Sequence, residues 1–344
     1  MPQILAIETT CDETAAAVVE DGWRVKANVI CSQVQLHQKY GGVVPEIASR
    51  AHIEWLNQLI DQALDQAGCR LPDMDGIAVA HCPGLVGCLI VGVSAAKALA
   101  FALDKPLIGV NHVHAHLYGG FLSGSAQGPP RMPIFPALGI VVSGGHSSLF
   151  YMKSFVDIQR IGATIDDAIG EAFDKVAALM ELGYPGGAAV EKLARSGNAA
   201  AVDFPVSLLS ADSLDFSYSG LKTAVLYRLR GRAGSQRALA DVGPAERADI
   251  AASFQRAAVA PVAIKLCRAF KRFGAKSLIL GGGVAANEAL RSIVKQTADD
   301  HGVPFFMPSL EFCTDNAAMI GGLAQQRLNG NLISPLDLAA IATV

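Results

Sequence analysis

The sequence predicts an α/β protein built from two halves. Short apolar segments of strand length alternate along the chain with longer segments of helical periodicity. One pattern occurs twice: an apolar strand, a small polar turn and a second apolar strand, at residues 4–19 and again at residues 137–152. The 344 residues suffice for two domains, and a composition of 51% hydrophobic and 17% charged residues supplies a large core. This composition excludes a disordered, collagen-like or coiled-coil protein.

In the first half, strands are expected at residues 4–8, 15–19, 25–30, 77–80 and 107–110. A helix is expected at residues 45–67, where apolar residues repeat at helical spacing until Gly68. Residues 85–103 form an almost unbroken apolar run of membrane-spanning length. The run contains Lys97 and follows a glycine-rich turn, so we favour a buried helix over a membrane span.

The segment Ser123–Pro133 is rich in Ser, Gly and Pro and is the expected linker. The predicted halves are therefore residues 1–122 and 134–315, the first being completed by a C-terminal helix within residues 316–344. The remaining expected strands are 137–142, 148–152, 277–280 and 303–307, and the remaining helices are 166–181, 218–230, 245–273 and 285–298.

Charge and cysteine content restrict the substrates and the cellular compartment that we expect for the protein. The net charge of −3 lacks the basic excess of a nucleic-acid-binding protein, so a nucleic-acid substrate would need a local patch or a partner. Seven cysteines without a CxxC pair indicate a reducing compartment. The first residues lack the basic segment of a signal peptide, so a cytoplasmic protein without a membrane partner is expected.

A histidine pair follows the strand at residues 107–110. On a helix, His112 and His116 face the same side and can bind one metal ion. Asp315, at a strand-to-helix junction, is a candidate third ligand, and such a donor set suits Fe or Zn. The zinc-protease pattern needs Glu where Val113 stands, which disfavours a peptidase. A polar helix start without metal is the alternative.

Three glycine-rich turns lie at residues 143–145, 185–187 and 281–283. Glycine lets backbone N–H groups approach an anion closely, so together these turns favour a phosphate or nucleotide site. A dinucleotide fingerprint at residues 281–286 lies too near the C-terminus for a Rossmann domain, and no Walker A motif is present.

Polar side chains accompany these turns. Asp174, Glu191 and Asn287 can bind a ribose or a base, or can act only as helix caps and surface groups. Asp12 and Glu13, at the first hairpin turn, can act as a base or metal ligand, or can be an ordinary solvated turn.

These motifs resemble one family in order over nearly the whole chain. The matching stretches are Glu8–Thr14, Gly41–Glu46, Gly84–Gly87, Asn111–His116, Val142–His146, Phe173–Lys175, Tyr184–Gly187, Phe216–Lys222, Gly281–Val284 and Thr314–Asn316. The sequence is similar to the TsaD family, the bacterial tRNA adenosine threonylcarbamoyltransferases, formerly named O-sialoglycoprotein endopeptidases.

The resemblance implies an actin/Hsp70/sugar-kinase (ASKHA) fold with a nucleotide cleft between the halves. It implies transfer of threonylcarbamoyl from threonylcarbamoyl-AMP to the adenosine 3′ of the anticodon in tRNAs reading codons that start with A. His112, His116 and Asp315 match the metal ligands, usually of iron, and Asp12 and Glu13 match acids near the reacting group. The positions matching the substrate-binding residues are Val141, Val142, Ser143, Gly144, Gly145, Asp174, Gly187, Glu191 and Asn287.

The resemblance also implies two protein partners, a paralogous TsaB-like subunit and a TsaE-like ATPase. Glu191 departs from the family, which commonly has Asp there, so we expect a lengthened ribose contact. Competing hypotheses are an ATP-dependent small-molecule kinase of the same fold, a metallopeptidase as in the old family name, and a non-catalytic scaffold.

Overall fold

The computed structural model describes residues 1–124, 128–231 and 238–343. The strands within these ranges are β1 (Gln3–Glu8), β2 (Glu13–Glu20), β3 (Arg24–Ser32), β4 (Gly76–Cys82), β5 (Leu107–Asn111), β6 (Ser123–Gly124), β7 (Ala137–Val142), β8 (Ser147–Met152), β9 (Ile158–Ala163), β10 (Ser277–Gly281) and β11 (Phe305–Phe306). The helices are α1 (Val34–His37), α2 (Pro45–Ala67), α3 (Val86–Leu103), α4 (His112–His116), α5 (Ile169–Leu179), α6 (Gly186–Ala194), α7 (Ser219–Arg230), α8 (Pro244–Phe273), α9 (Glu288–Asp300) and α10 (Ala317–Asn329).

The chain forms two compact units. The first contains residues 1–132, 155–157 and 307–344, and the second contains residues 133–154 and 158–306. Residues 307–315, which we expected in the second half, belong to the first unit, because the chain returns there before α10. Part of the expected linker, residues 125–127, lies outside the described residues.

The first unit is built on a sheet with the strand order β5-β4-β1-β2-β3-β6. β1 and β2 form the predicted antiparallel hairpin, with Ile4 opposite Val19, and β4 and β5 extend the sheet in parallel from β1. One face packs on α2 and α3 through buried residues such as Leu56, Ile60 and Val93. The opposite face packs on α10.

Close packing of α10 depends on a missing side chain. A Cβ atom at Gly321 would come within 2.9 Å of Val19 and 3.2 Å of Ala6, so glycine lets the helix lie directly on β1 and β2. This contact matters for the site, because Asp315 immediately precedes α10.

The second unit repeats the pattern of the first. Its strand order is β11-β10-β7-β8-β9, with β7 and β8 antiparallel, β8 and β9 antiparallel, and β10 and β11 parallel to β7. In both units the first hairpin supplies two central strands, and later parallel strands add to its first strand. The recurrence of the hairpin that the sequence shows thus corresponds to a repeat of the sheet topology.

Several local expectations differ from the structure, and among them Ser123 and Gly124, which we expected in the linker, form β6 and pair with β3. β9 was not predicted, because Gln159 and Arg160 are exposed and the segment lacks a clear apolar alternation. The turn at residues 185–187 opens α6 instead of only ending α5. Residues 283–286 form a 3-10 turn, so α9 begins at Glu288 instead of Ala285.

Two helices, α3 and α8, are long and apolar enough to cross a membrane by length and composition alone. Core helices of other proteins pass the same test. α3 packs against β4 and α2, and α8 packs against α6 and α9. Both helices are therefore layers of the two α/β units, but α3, which we expected to be buried, leaves Ile90 and Phe101 exposed on its outer face.

Candidate active site

The first part of the site lies at the carboxyl end of β5. The strand ends at Asn111, whose side chain accepts a hydrogen bond from the backbone N–H of His114 at 3.1 Å and caps α4. This single helical turn places His112 and His116 on one face, with ring centroids 4.8 Å apart.

Asp315 reaches the same place from the start of α10. Its Oδ1 lies 3.2 Å from Nε2 of His116 and 3.5 Å from Nε2 of His112. One potential ligand atom from each of the three residues lies within 4.8 Å of the others. The structure therefore brings together the three residues proposed from sequence, although about 200 positions separate them along the chain.

Two observations fit a bound cation. His116 is 1% exposed, and neither ring nitrogen makes a well-oriented hydrogen bond among the described residues, although Nε2 lies 3.2 Å from Asp315 Oδ1. A buried nitrogen without such a partner is costly unless it binds something else. His112 is oriented by Glu8, whose Oε2 lies 2.9 Å from Nδ1, leaving Nε2 directed to Asp315. Two imidazoles and one carboxylate suit a borderline divalent ion.

The carboxylates dominate the electrostatics of this region. Burial opposes protonation of His112, but the negative charges of Glu8 and Asp315 outweigh it and raise the pKa of His112 to about 9. Without a cation, His112 therefore holds a proton at neutral pH. A metal ion would have to displace that proton in order to bind.

Asp12 and Glu13 lie at the end of the β1–β2 hairpin, near Asp315. Burial, then the negative charges of Asp315 and Asp12, raise the pKa of Glu13 above its ordinary value. Glu13 Oε1 also accepts a hydrogen bond from the Ser32 hydroxyl at 3.1 Å. With a pKa of about 9, Glu13 holds its proton at neutral pH when no cation is nearby, and a cation on His112, His116 and Asp315 would favour the ionised form that a general base needs.

The second unit carries the glycine-lined part of the predicted site. Val141 and Val142 are the buried end of β7, and Ser143 begins a tight turn in which its N–H donates to the His146 carbonyl at 2.8 Å. A Cβ atom added to Gly144 or Gly145 would meet nothing within 4 Å. The backbone of this turn therefore borders open space.

Two other glycines close the sides of this turn. A Cβ at Gly170, in the first turn of α5, would lie 2.5 Å from the Ser143 carbonyl oxygen. Gly282, at φ +95°, faces the backbone of Val142 in the same way. Only glycine allows these backbones to approach so closely.

Asp174, in the middle of α5, contacts the start of the next helix. Asp174 Oδ1 accepts a hydrogen bond from the N–H of Gly186 at 2.9 Å, at the beginning of α6, and burial raises the pKa of Asp174. Gly187, next along the helix, borders open space. The expected alternative role of Asp174, stabilising a helix terminus, is therefore present.

Glu191 and Asn287 lie close together at the start of α9. Asn287 caps the helix by accepting from the N–H of Leu290 at 3.0 Å, and Glu191 Oε1 accepts from the N–H of Glu288 at 3.0 Å. Asn287 also donates to Gln255 at 2.9 Å. These contacts orient both side chains, and no observation tests the lengthened ribose contact expected for Glu191.

Sequence reasoning missed the residues that support the ligands. Glu8 is fully buried beside His112, and Thr10 lies 3.3 Å from the same imidazole nitrogen. A carboxylate ending a buried strand, as Glu8 ends β1, is the signal that could have identified it, because buried carboxylates need partners. His52 lies on the buried face of α2, and its neighbours in the sequence give no comparable signal.

Comparison with known proteins identifies the family. A family model described as TsaD, tRNA N6-adenosine threonylcarbamoyltransferase, matches residues 24–322. The chain belongs to the TsaD family. A tRNA N6-adenosine threonylcarbamoyltransferase of Moorella thermoacetica is 49% identical over 339 residues, covering 98% of this chain and 95% of the relative. Another from Symbiobacterium thermophilum is 50% identical over 338 residues, with the same coverage. The resemblance is confirmed, and TsaD proteins are transferases.

Solved structures confirm the fold class. HypF of T. kodakarensis matches with a TM-score of 0.62 and 17% identity, covering 96% of this chain and 48% of that one. Component A of the Acidaminococcus fermentans (R)-2-hydroxyglutaryl-CoA dehydratase matches with a TM-score of 0.51 and 16% identity, covering 96% and 100%. The fold is of the actin/Hsp70/sugar-kinase type. The nucleotide cleft stays a prediction.

Proposed function

We propose that this TsaD protein transfers the threonylcarbamoyl group from threonylcarbamoyl-AMP to the exocyclic amine of an adenosine. The adenosine is the one 3′ of the anticodon in tRNAs that read codons starting with A, which places the reaction in the cytoplasm. The observation that carries the proposal is the convergence of His112, His116 and Asp315 at one place. It occurs in a chain that is 50% identical to a tRNA N6-adenosine threonylcarbamoyltransferase.

The chemistry demands activation of both reactants. The acceptor amine is a poor nucleophile because its lone pair is delocalised into the purine ring. Its nitrogen attacks the carbamoyl carbon, the bond from that carbon to the phosphate oxygen breaks, and AMP leaves. The protein must therefore align the two reactants, remove a proton from the amine and stabilise the departing charge.

We assign proton removal to Asp12 or Glu13. Both lie at the hairpin end, and Glu13 is close enough to Asp315 for that negative charge to help burial raise its pKa, so the ionised form of Glu13, which a bound cation would favour, is a stronger base. A divalent cation on His112, His116 and Asp315, with Fe²⁺ favoured and Zn²⁺ second, would supply a Lewis acid.

We assign binding of the AMP moiety to the second unit. The open space above Gly144, Gly145 and Gly187 supports contact of a phosphate with backbone N–H groups. The oriented carboxylate of Glu191 and the carboxylate of Asp174 are suited to ribose hydroxyls. Val141 and Val142 end β7, and Ser143 begins the turn that contains Gly144 and Gly145. Asn287 caps the start of α9, where Glu191 also makes its hydrogen bond.

The decisive experiment reconstitutes the reaction. Purified protein is combined with a TsaB-like subunit, a TsaE-like ATPase, threonylcarbamoyl-AMP and unmodified tRNA, and nucleosides are measured by mass spectrometry. We expect threonylcarbamoyladenosine from wild type and from Asp212→Ala at an exposed position of the second unit, and none from Asp12→Ala together with Glu13→Ala at unchanged metal content. Absence of product from wild type would overturn the proposal.

We also propose the TsaB-like subunit as a partner that binds through α2 and α3. On these helices, which pack together, Ile53, Ile90 and Phe101 are 65%, 52% and 76% exposed. Exposed apolar residues on adjacent helices are typical of interfaces. In a co-purification assay, Ile90→Asp should reduce binding, whereas Ile165→Asp in the second unit, 63% exposed, should not.

A further inference from the structure

Three buried polar side chains of the first unit lie outside the proposed ligand set. His37, Gln33 and His52 are 2%, 0% and 0% exposed. Burying such groups is costly unless each is hydrogen-bonded. Their partners form a continuous path that starts at the exposed loop of residues 38–44 and ends at the β1–β2 hairpin.

At the hairpin end of the path, the donor and the acceptor of each hydrogen bond can be assigned. Nε2 of His52 lies 3.0 Å from the carbonyl oxygen of Cys11. A carbonyl oxygen only accepts, so Nε2 carries the hydrogen and Nδ1 must accept. Nδ1 lies 2.7 Å from the Thr14 hydroxyl and 3.5 Å from Nε2 of Gln33, both of which can donate to it.

The donors and acceptors can also be assigned between Gln33 and the loop, and each donor faces an acceptor. Oε1 of Gln33 lies 3.1 Å from Nε2 of His37, which therefore carries the hydrogen. Nδ1 of His37 then accepts from the backbone N–H of Val44 at 3.3 Å. Nε2 of Gln33 also donates to the carbonyl of Ala48 at 3.3 Å.

Both imidazoles are therefore neutral in this network. A proton on Nδ1 of either ring would set two donors against each other. Burial lowers the pKa of His52, in agreement with the neutral form. A fully satisfied buried network holds its members in one arrangement.

The two ends of the network have different surroundings. Cys11 and Thr14 directly flank Asp12 and Glu13 in the sequence, so His52 contacts the chain on both sides of the acids. At the other end, Val44 closes a loop whose residues 38–42 are exposed.

We propose that His37, Gln33 and His52 form a positioning relay that couples the loop at residues 38–44 to Asp12 and Glu13. The three are positioning residues: the hydrogen bonds of their side chains go neither to the proposed ligands nor to the two carboxylates, while the backbone N–H of Gln33 donates to the Asp12 carbonyl at 2.9 Å and adds a second link to the hairpin end. A change in the loop then alters how firmly the hairpin end is held. The role in catalysis rests on the proposed function, whereas the coupling itself does not.

The test uses the full-length protein and the far end of the relay. His37→Leu should speed amide hydrogen exchange in residues 10–14 as well as in residues 38–44. In the reconstituted reaction, kcat should fall about tenfold with unchanged metal content and unchanged KM for threonylcarbamoyl-AMP. His37→Gln, which keeps a donor toward Gln33, should restore part of both effects.

The matched control is His301→Leu in the second unit, where a partly buried bond joins Nδ1 to the Thr297 carbonyl at 2.8 Å. It should leave exchange at residues 10–14 as in wild type. If His37→Leu unfolds the protein, Gln33→Met is used in its place, because it interrupts the same path at its centre. Unchanged exchange at residues 10–14 in the folded variant overturns the relay. An inactive wild type would instead overturn the proposed function, and exchange would still decide the relay.

Discussion

The hairpins that open the two sheets, β1–β2 and β7–β8, share their pairing but differ at their ends. Residues 9–12 connect the first pair and residues 143–146 the second. The first connection is followed by Glu13 and supported by buried Glu8 and His52. The second exposes the bare backbone of Gly144 and Gly145.

This difference shows how one topology serves two kinds of chemistry. Side-chain carboxylates and imidazoles need buried partners to stay oriented, so the first hairpin end is surrounded by a polar network. A backbone that binds an anion needs only room and the absence of Cβ atoms. The comparison therefore predicts that substitutions of the acids at the first end alter the transfer rate, that substitutions of Glu8 and the ligands beside it alter metal content, and that substitutions at the second end alter nucleotide affinity.

The largest effect is expected for Asp315→Ala. It removes the carboxylate that both histidines approach, so the metal should be lost and the transfer rate should fall about 10³-fold or more. Metal analysis and nucleoside mass spectrometry on the same sample check this. Glu311→Ala, at an exposed position four residues earlier, is the control. Full metal content in Asp315→Ala would break the comparison.

Glu8→Gln is expected to have the next largest effect. The amide cannot balance positive charge on His112 as the carboxylate does, so metal affinity should fall roughly 10- to 100-fold. Competition with a chelator measures this affinity. Affinity for threonylcarbamoyl-AMP should change far less, and an equal loss of both would contradict the separation of roles.

Gly144→Ala tests the second hairpin end. The new Cβ meets no protein atom within 4 Å, so thermal stability should stay as in wild type while nucleotide affinity falls about tenfold. Calorimetric titration with a nonreactive nucleotide analogue measures affinity. Gly243→Ala, where a Cβ also meets open space, should change neither quantity. Normal affinity in Gly144→Ala would remove this turn from the site.

The smallest effect is a pH dependence confined to the first unit. The folded-state pKa of His112, about 9, exceeds the ordinary value of 6.5. Its protonation therefore stabilises metal-free protein fully below about pH 6.5, and this contribution is lost as pH rises through about 9. Urea unfolding of chelator-treated protein should show the loss between these values. Glu13, whose pKa burial raises to about 9, adds a loss of the same sign, so His112→Gln should reduce the slope in this interval without removing it. An unchanged slope in His112→Gln would assign the effect to groups other than His112.

Much of this architecture was accessible from the sequence. Apolar runs bounded by polar or glycine-containing turns predicted β1, β2, α2 and β7 closely, and the i, i+4 spacing of His112 and His116 indicated a shared metal ion. Asp315 was suggested by its position before a helix, without a physical reason to exclude other acids. Family resemblance supplied that choice.

What sequence reasoning could not supply were contacts between distant segments. Nothing near Glu8 indicates that His112, more than 100 positions later, would lie 2.9 Å from it. His52 lies on the buried face of α2, where its ring resembles any core residue. β9 escaped because a half-exposed edge strand needs no apolar alternation.

The discontinuity of the first unit has a consequence for synthesis on the ribosome. All its strands lie before residue 125, but α10, which covers one face of the sheet, is made after the whole second unit. Domains tend to fold as they emerge, so the second unit has a complete sequence earlier than the first. Nearly 200 further residues must therefore be synthesised after His116 before Asp315 completes the donor set. Iron or zinc captured before then would meet an incomplete set of donors.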